Sequence, residues 1–117
     1  MTLTAQSLFS ALAHEIRLRS LLLLQAEGEL CVCELTHALG EIQPKISRHL
    51  AALRDAGVVA DRRQGQWIYY RLHPALPAWA RQIIDTTARE LAPQAGYASD
   101  RTTLAGMPNR PSAACCA

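Results

Sequence analysis

The chain is predicted to fold as an α+β, mostly helical winged helix-turn-helix, with about five helices and a two-stranded β-hairpin wing. Three observations predict it. Two apolar-periodic segments, residues 30–39 and 44–56, are joined by a short turn carrying Gly40, the helix-turn-helix pattern. Two β-branched and aromatic runs, residues 58–63 and 66–72, follow at once around Gln64-Gly65, which reads as a hairpin. Residues 43–71 also hold Lys45, Arg48, Arg54, Arg62, Arg63 and Arg71 against Asp55 and Asp61, a surplus of four positive charges in a chain of net charge +2. A basic segment inside a nearly neutral chain suits a phosphate-facing surface.

The 117 residues make one domain, and 50% apolar with 19% charged composition fits a globular chain rather than a disordered one. Apolar runs such as Leu21–Leu24 are far too short to span a bilayer. The first residues lack the basic start and apolar core of a signal peptide. A cytoplasmic location is therefore expected, where clustered cysteines bind metals or do redox work more often than they form staples.

In order, residues 4–13 carry Leu8, Phe9, Leu12 and Ala13 as a helical stripe. Residues 14–26 bring Ile16, Leu18 and four leucines, a core helix ended by Gly28. Residues 30–39 offer Leu30, Leu35, Ala38 and Leu39 and close at Gly40. Pro44 opens the next helix as a first-turn proline, and Gly57 stops it. In the second hairpin strand Ile68, Tyr70 and Leu72 share one face, and Trp67, Tyr69 and Arg71 the other. Residues 74–91 form an amphipathic helix with Leu76, Trp79, Ala80, Ile83, Ile84, Thr87 and Leu91 as its stripe. Residues 1–92 are thus read as the DNA-binding and dimerisation domain. Residues 93–117, rich in Gly, Ser, Pro and Asn without periodicity and ending in Cys115-Cys116-Ala117, are read as a flexible tail.

Placing Ile46 at 0° on a helical wheel puts Leu50 and Leu53 within about 40° of it and Arg48 about 200° away. The outer face then carries Arg48, Ser47 and the small Ala51. Arginine can pair with guanine through two hydrogen bonds, and serine can contact bases or phosphates. Gln43, Lys45, Ser47, Arg48 and His49 are the helix's candidate DNA contacts, with Lys45 and His49 flanking toward phosphates. Arg62 and Arg63 add a basic hairpin tip at the wing position.

The runs Glu29-Leu30-Cys31-Val32-Cys33-Glu34-Leu35, Gln43-Pro44-Lys45-Ile46-Ser47-Arg48-His49-Leu50 and Arg62-Arg63-Gln64-Gly65-Gln66-Trp67-Ile68-Tyr69-Tyr70-Arg71-Leu72 resemble the ArsR/SmtB family of metalloregulatory repressors, and within it the arsenite-responsive branch. The resemblance covers residues 8–91. It implies a homodimer that binds double-stranded operator DNA and lets go when trivalent arsenic or antimony binds, with no organic cofactor and no membrane partner. It further implies a dimer interface of the first and last helices, assigning Leu8, Phe9 and Leu12 with Trp79, Ile83 and Thr87 to the partner subunit. A dimer also follows from physics, because one recognition helix reads only a few base pairs, while two read half-sites about 34–36 Å apart.

All four cysteines, Cys31, Cys33, Cys115 and Cys116, are candidate ligands of a soft ion. Residues i and i+2 of a regular helix point about 200° apart, so Cys31 and Cys33 converge only if the helix begins between them or its first turn is distorted. In the resembled branch three sulfurs hold the ion, and here the third cysteine's position is Thr36. Either Cys31 and Cys33 suffice, or Cys115 or Cys116 supplies the third sulfur. The 22 residues before Cys115 have an r.m.s. span of about 26 Å as a flexible coil. Other readings are a tail pair that passes the ion on, a fortuitous end, and a thiol redox sensor. A zinc site of the family's last-helix type lacks histidine, since residues 74–91 offer only Asp85 and Glu90. His14, His37, His49 and His73 are scattered. No nucleophile–base pair, phosphate loop or α/β cleft pattern points to an enzyme.

Overall fold

A computed structural model describes residues 3–111. Helix α1 spans Ala5–Leu12, α2 Glu15–Glu27, α3 Val32–Leu39, α4 Gln43–Asp55, α5 Ala78–Leu91 and α6 Ala95–Ala105; strands β1 (Glu29–Cys31), β2 (Val59–Gln64) and β3 (Trp67–Leu72) lie between. The strands form one antiparallel sheet in the order β1-β3-β2. No described helix is long and apolar enough to cross a membrane.

Local chemistry sets the boundaries. Thr4 caps α1, its hydroxyl accepting from the Ser7 amide while Ser7 reciprocates, a capping-box exchange. The helix-turn-helix bend is made at Gly40, whose φ of +66° is the left-handed conformation that costs glycine nothing. The hairpin closes through Gly65-Gln66, with Gln64 opposite Trp67. Gly65 occupies the first central position at φ +61°, where such turns require a positive value. The leucines of α2 lie under everything else: Leu21 and Leu24 pack with Leu30, Leu35, Ile46, Leu50, Leu53, Val58 and Ile84 in the core. Each such side chain removed from water contributes about 1.5–3 kcal/mol, enough to fix α3 and α4 on a common base.

Four expectations need correction. Residues 29–31 are a strand rather than the start of a helix, pairing Glu29 with Arg71, Leu30 with Tyr70 and Cys31 with Tyr69. The wing sheet therefore has three strands, not two. Three residues are too few to show an alternating pattern, so no strand signal is legible there. The last long helix starts at Ala78, after Pro77, because Pro74 and Pro77 hold the preceding turn outside helical geometry. Finally, much of the expected flexible tail is helix α6, which packs on α2 and α3. Arg19 donates from Nε and Nη2 to both oxygens of buried Asp100, at 2.8 and 2.7 Å, and Leu104 is buried. Tertiary contacts thus order a segment whose sequence carries no strong apolar stripe. Cys115 and Cys116 lie outside the described residues.

Candidate functional site

Helix α4 presents the outer face that its wheel predicts. Ile46, Leu50 and Leu53 are fully buried, while Gln43 and Arg48 are exposed and Ser47 is half-buried. The flanking residues are more engaged than their sequence suggested. Lys45 Nζ lies 2.7 Å from Glu41 Oε1. His49 is folded inward, its Nδ1 accepting from Arg17 Nε at 3.2 Å and its ring 4.3 Å from that of His14. Desolvation first, then the neighbouring His14 and the cations Arg17, Arg48 and Lys45, hold the His49 imidazole below its usual pKa. Arg48 is left as the exposed cation facing outward from the middle of the helix.

The wing divides its two arginines. Arg62 donates from Nε and Nη2 to both oxygens of Glu29 on β1, at 2.9 and 2.6 Å, and its guanidinium lies 4.6 Å from the centre of the Tyr69 ring. The same arginine holds the Glu29 carboxyl below the usual range. Arg62 therefore braces the wing against β1, while its neighbour Arg63 stays exposed. Sequence spacing alone could not separate the two, because Glu29 reaches Arg62 only through the unforeseen β1–β3 pairing.

Cys31 ends β1 and Val32 begins α3, so the helix starts between the two cysteines, as their convergence requires. Cys33 Sγ donates to Cys31 Sγ at 3.0 Å. Burial, and then that hydrogen bond, push the Cys33 thiol up to about 12. The turn is held from behind by Glu34, fully buried, whose Oε1 accepts the Cys31 amide at 2.8 Å. Its other oxygen accepts from Arg110 Nε, also at 2.8 Å. Thr36 is unsuited to act as a ligand, because its hydroxyl donates to the Val32 carbonyl at 2.8 Å. Among the described residues no group of three His, Cys, Asp or Glu side chains could hold a metal ion.

The sulfurs open onto a cleft of about 150 Å³ whose other walls are Gln43 and Ser47 of α4 and Gln66, Trp67 and Ile68 of the wing. The structure thus brings one predicted site, the thiol pair, against the first turn of the other, the recognition helix. The role of Trp67 as a wall between them was not read from sequence; its only signal was an exposed aromatic beside the hairpin tip.

The surface assigned to a partner subunit is only partly free. Leu8 is wholly inside this chain's own core, which corrects its assignment. Phe9 at 54% and Trp79 at 40% exposure remain outside. Trp79 lines a shallow groove of about 450 Å³ along α5 with Gln82, Ile83, Thr86 and Thr87.

Residues 14–61 match the family model described as bacterial regulatory protein, arsR family. The chain is 51% identical over 113 residues to the arsenic resistance transcriptional regulator ArsR1 of Pseudomonas putida, spanning 93% of this chain and 84% of that one. It is 58% identical over 82 residues to the arsenical resistance operon repressor of Escherichia coli, with 70% of each covered. Among solved structures it is similar to the AntR antimony-specific transcriptional repressor, at 30% identity and a TM-score of 0.62, covering 72% of this chain and 73% of the other.

Proposed function

The chain belongs to the arsR family of bacterial regulatory proteins, and from that membership we propose that it is a dimeric repressor released from operator DNA by trivalent arsenic or antimony. Arg48, Ser47 and Gln43 of α4 read the major groove. Arg63 of the wing meets the phosphate backbone beside it, and Arg62 holds the wing in place. Two copies related by a twofold supply two such surfaces for half-sites about 34–36 Å apart. Phe9 and the Trp79 groove are the apolar ground on which they meet, since exposed patches of this kind mark association sites.

One observation carries the regulatory half of this reading: the Cys31 and Cys33 sulfurs lie 3.0 Å apart and share a cleft with Gln43, Ser47 and Trp67. Two thiols side by side are soft donors suited to a thiophilic ion. An ion bonded to both changes the head of α3 directly against the DNA-reading turn. Release requires the ion to bind the DNA-free form more tightly, and a 100-fold preference corresponds to about 2.7 kcal/mol.

The test is operator binding by fluorescence anisotropy with Cys31→Ser and Cys33→Ser variants. Each variant is expected to bind DNA as the parent does and to stay bound when arsenite is added. Variants that bind no DNA, or that still release with arsenite, overturn the assignment. Release of the parent by peroxide but not by arsenite selects the redox reading instead.

A further inference from the structure

We infer that Arg17 of α2 and His49 of α4 form a phosphate site beside the recognition helix, closed on itself while His49 is neutral and turned to the DNA backbone when His49 takes up a proton. This rests on the reading of α4 as the DNA-reading helix, and adds to it a contact from α2 and a coupling of DNA binding to protons.

The site is a cluster drawn from two helices. His14 and Arg17 stand three residues apart at the head of α2 and so share a face. Against them lies His49, its Nδ1 accepting from Arg17 Nε at 3.2 Å and its ring centre 4.3 Å from that of His14. On α4 itself Arg48 precedes His49 by one residue and Lys45 by four. His14 and Arg48 are exposed, and Arg17, Lys45 and His49 are half-buried. Counter-charge is scarce: Glu41, in the turn before α4, lies 2.7 Å from Lys45 Nζ, and Glu15 lies 3.8 Å from Arg19. Helix α3 and strand β2 also pack on α4, but their acids have other partners, Glu34 taking Arg110 and Asp61 taking Arg54. Of their remaining charged or titratable groups, Arg62 is held by Glu29, Cys33 donates to Cys31, and His37 and Arg63 are exposed. A half-open surface gathering cations in this way suits an anion, and the polyanion that α4 serves brings phosphates to it.

The hydrogen bond between the two helices gives the proton its role. Nδ1 of His49 accepts from Arg17 only while it carries no hydrogen. A proton taken from solvent at Nδ1 turns that acceptor into a donor. Two N–H groups then face one position, and an anionic phosphate oxygen can accept from both. His14 has no such part, because its Nδ1 accepts the Ile16 amide of its own helix at 3.3 Å. In the free chain desolvation, and then His14 with the cations Arg17, Arg48 and Lys45, oppose the proton on His49. A phosphate placed among the same cations reverses that balance. DNA binding therefore takes up protons, at most one per subunit at this site, and affinity rises as pH falls.

The experiment uses the full-length reduced chain without arsenite and a fluorescein-labelled duplex of mixed sequence, since backbone contacts are independent of sequence. Anisotropy titrations at constant ionic strength should show the parent binding at least about fivefold tighter at pH of about 6 than at about 8. His49→Gln keeps an acceptor for Arg17 but cannot take the proton, and should lose that gain; a gain equal to the parent's refutes the inference. At the lower pH Arg17→Ala should reduce the slope of log K against log salt by about 0.9 per subunit, and an unchanged slope refutes the contact from α2. A second measurement uses the parent alone: in NMR spectra of the histidine rings, His49 should titrate at a higher pH with the duplex bound than without it. Titration at the same or a lower pH overturns the proposal. So does an equal rise with inorganic phosphate alone, which would make the site one for a free anion. A parent that binds no duplex at any pH refutes instead the underlying reading of α4.

Discussion

Replacing Glu34 tests whether a buried carboxylate holds the sulfur-bearing turn in place. The side chain is fully buried and accepts two hydrogen bonds of 2.8 Å, one from the Cys31 amide and one from Arg110 Nε. Removing one partner of a buried ion pair costs about 3–5 kcal/mol, because the other charge is left without compensation. Arg110 keeps 19% of its side chain in solvent and a second carboxylate in Glu27, so the lower end applies and Glu34→Ala should cost about 3 kcal/mol. Glu34→Gln keeps an acceptor for the Cys31 amide and only exchanges a charged hydrogen bond for a neutral one, a loss of about 1 kcal/mol. Equilibrium urea denaturation at one fixed protein concentration measures both, the concentration being fixed because association contributes to the stability of a dimer. At roughly 4 °C per kcal/mol for a domain of this size, the alanine variant should melt about 12 °C below the parent. Equal losses for Gln and Ala would place the whole effect in the charge facing Arg110 rather than in the cap on the Cys31 amide, and a loss below about 1 kcal/mol for Ala would show that Glu34 neither caps α3 nor holds Arg110.

Arg48→Ala should weaken specific operator binding by about 1–3 kcal/mol and relax preference at one base pair of each half-site, as read by competition between operator variants. Loss that is uniform across sequences would make Arg48 a phosphate contact. Arg63→Ala should lower the slope of log K against log salt by about 0.9 per subunit. Arg62→Ala should change that slope less, because Glu29 already neutralises Arg62, and Glu29→Gln should raise it; equal slopes for the two arginine variants refute the division of labour. His49 has a lowered pKa in the folded chain, from desolvation and nearby cations. The folded state therefore binds fewer protons than the unfolded one. The stabilisation this gives is present above the unfolded value of about 6.5 and is lost as pH falls through the lower folded value. Between pH of about 7.5 and 5.5 the parent should lose more stability than His49→Gln, and parallel losses would remove His49 from the account.

The legible parts of the molecule were those written in local periodicity. The wheel through Ile46, Leu50 and Leu53 placed the buried face of α4, and Gly40 and Gly65 marked both turns because each must adopt a positive φ. What stayed hidden depends on pairs distant in sequence. Strand β1 exists because Leu30 finds Tyr70, and α6 is held because Asp100 finds Arg19, 81 positions away. The thiol geometry was half legible. The sequence stated the condition under which Cys31 and Cys33 converge, but only the β1–α3 junction meets it. Nothing in residues 93–111 announced that Arg110 would meet Glu34, since an isolated arginine in a polar stretch carries no direction.

The adjacency of the two sites also bears on how small a movement regulation needs. An ion bonded to both sulfurs must either separate atoms now 3.0 Å apart or occupy the cleft in front of Gln43 and Ser47. The first course moves the head of α3, which is fixed by the Cys31 amide to Glu34 and by the pairing of Cys31 with Tyr69. The second fills space against the first turn of α4 and against Trp67. Both act at the end of the recognition helix, where displacement is not absorbed by intervening packing. A hydrogen bond contributes about 0.5–1.5 kcal/mol net, and one to a charged group about 1.5–3. The roughly 2.7 kcal/mol needed for a 100-fold loss of affinity is therefore one or two contacts per dimer. No long pathway through the core is required, and Leu50, Leu53 and the α2 leucines can stay where they are while the first turn of α4 lets go.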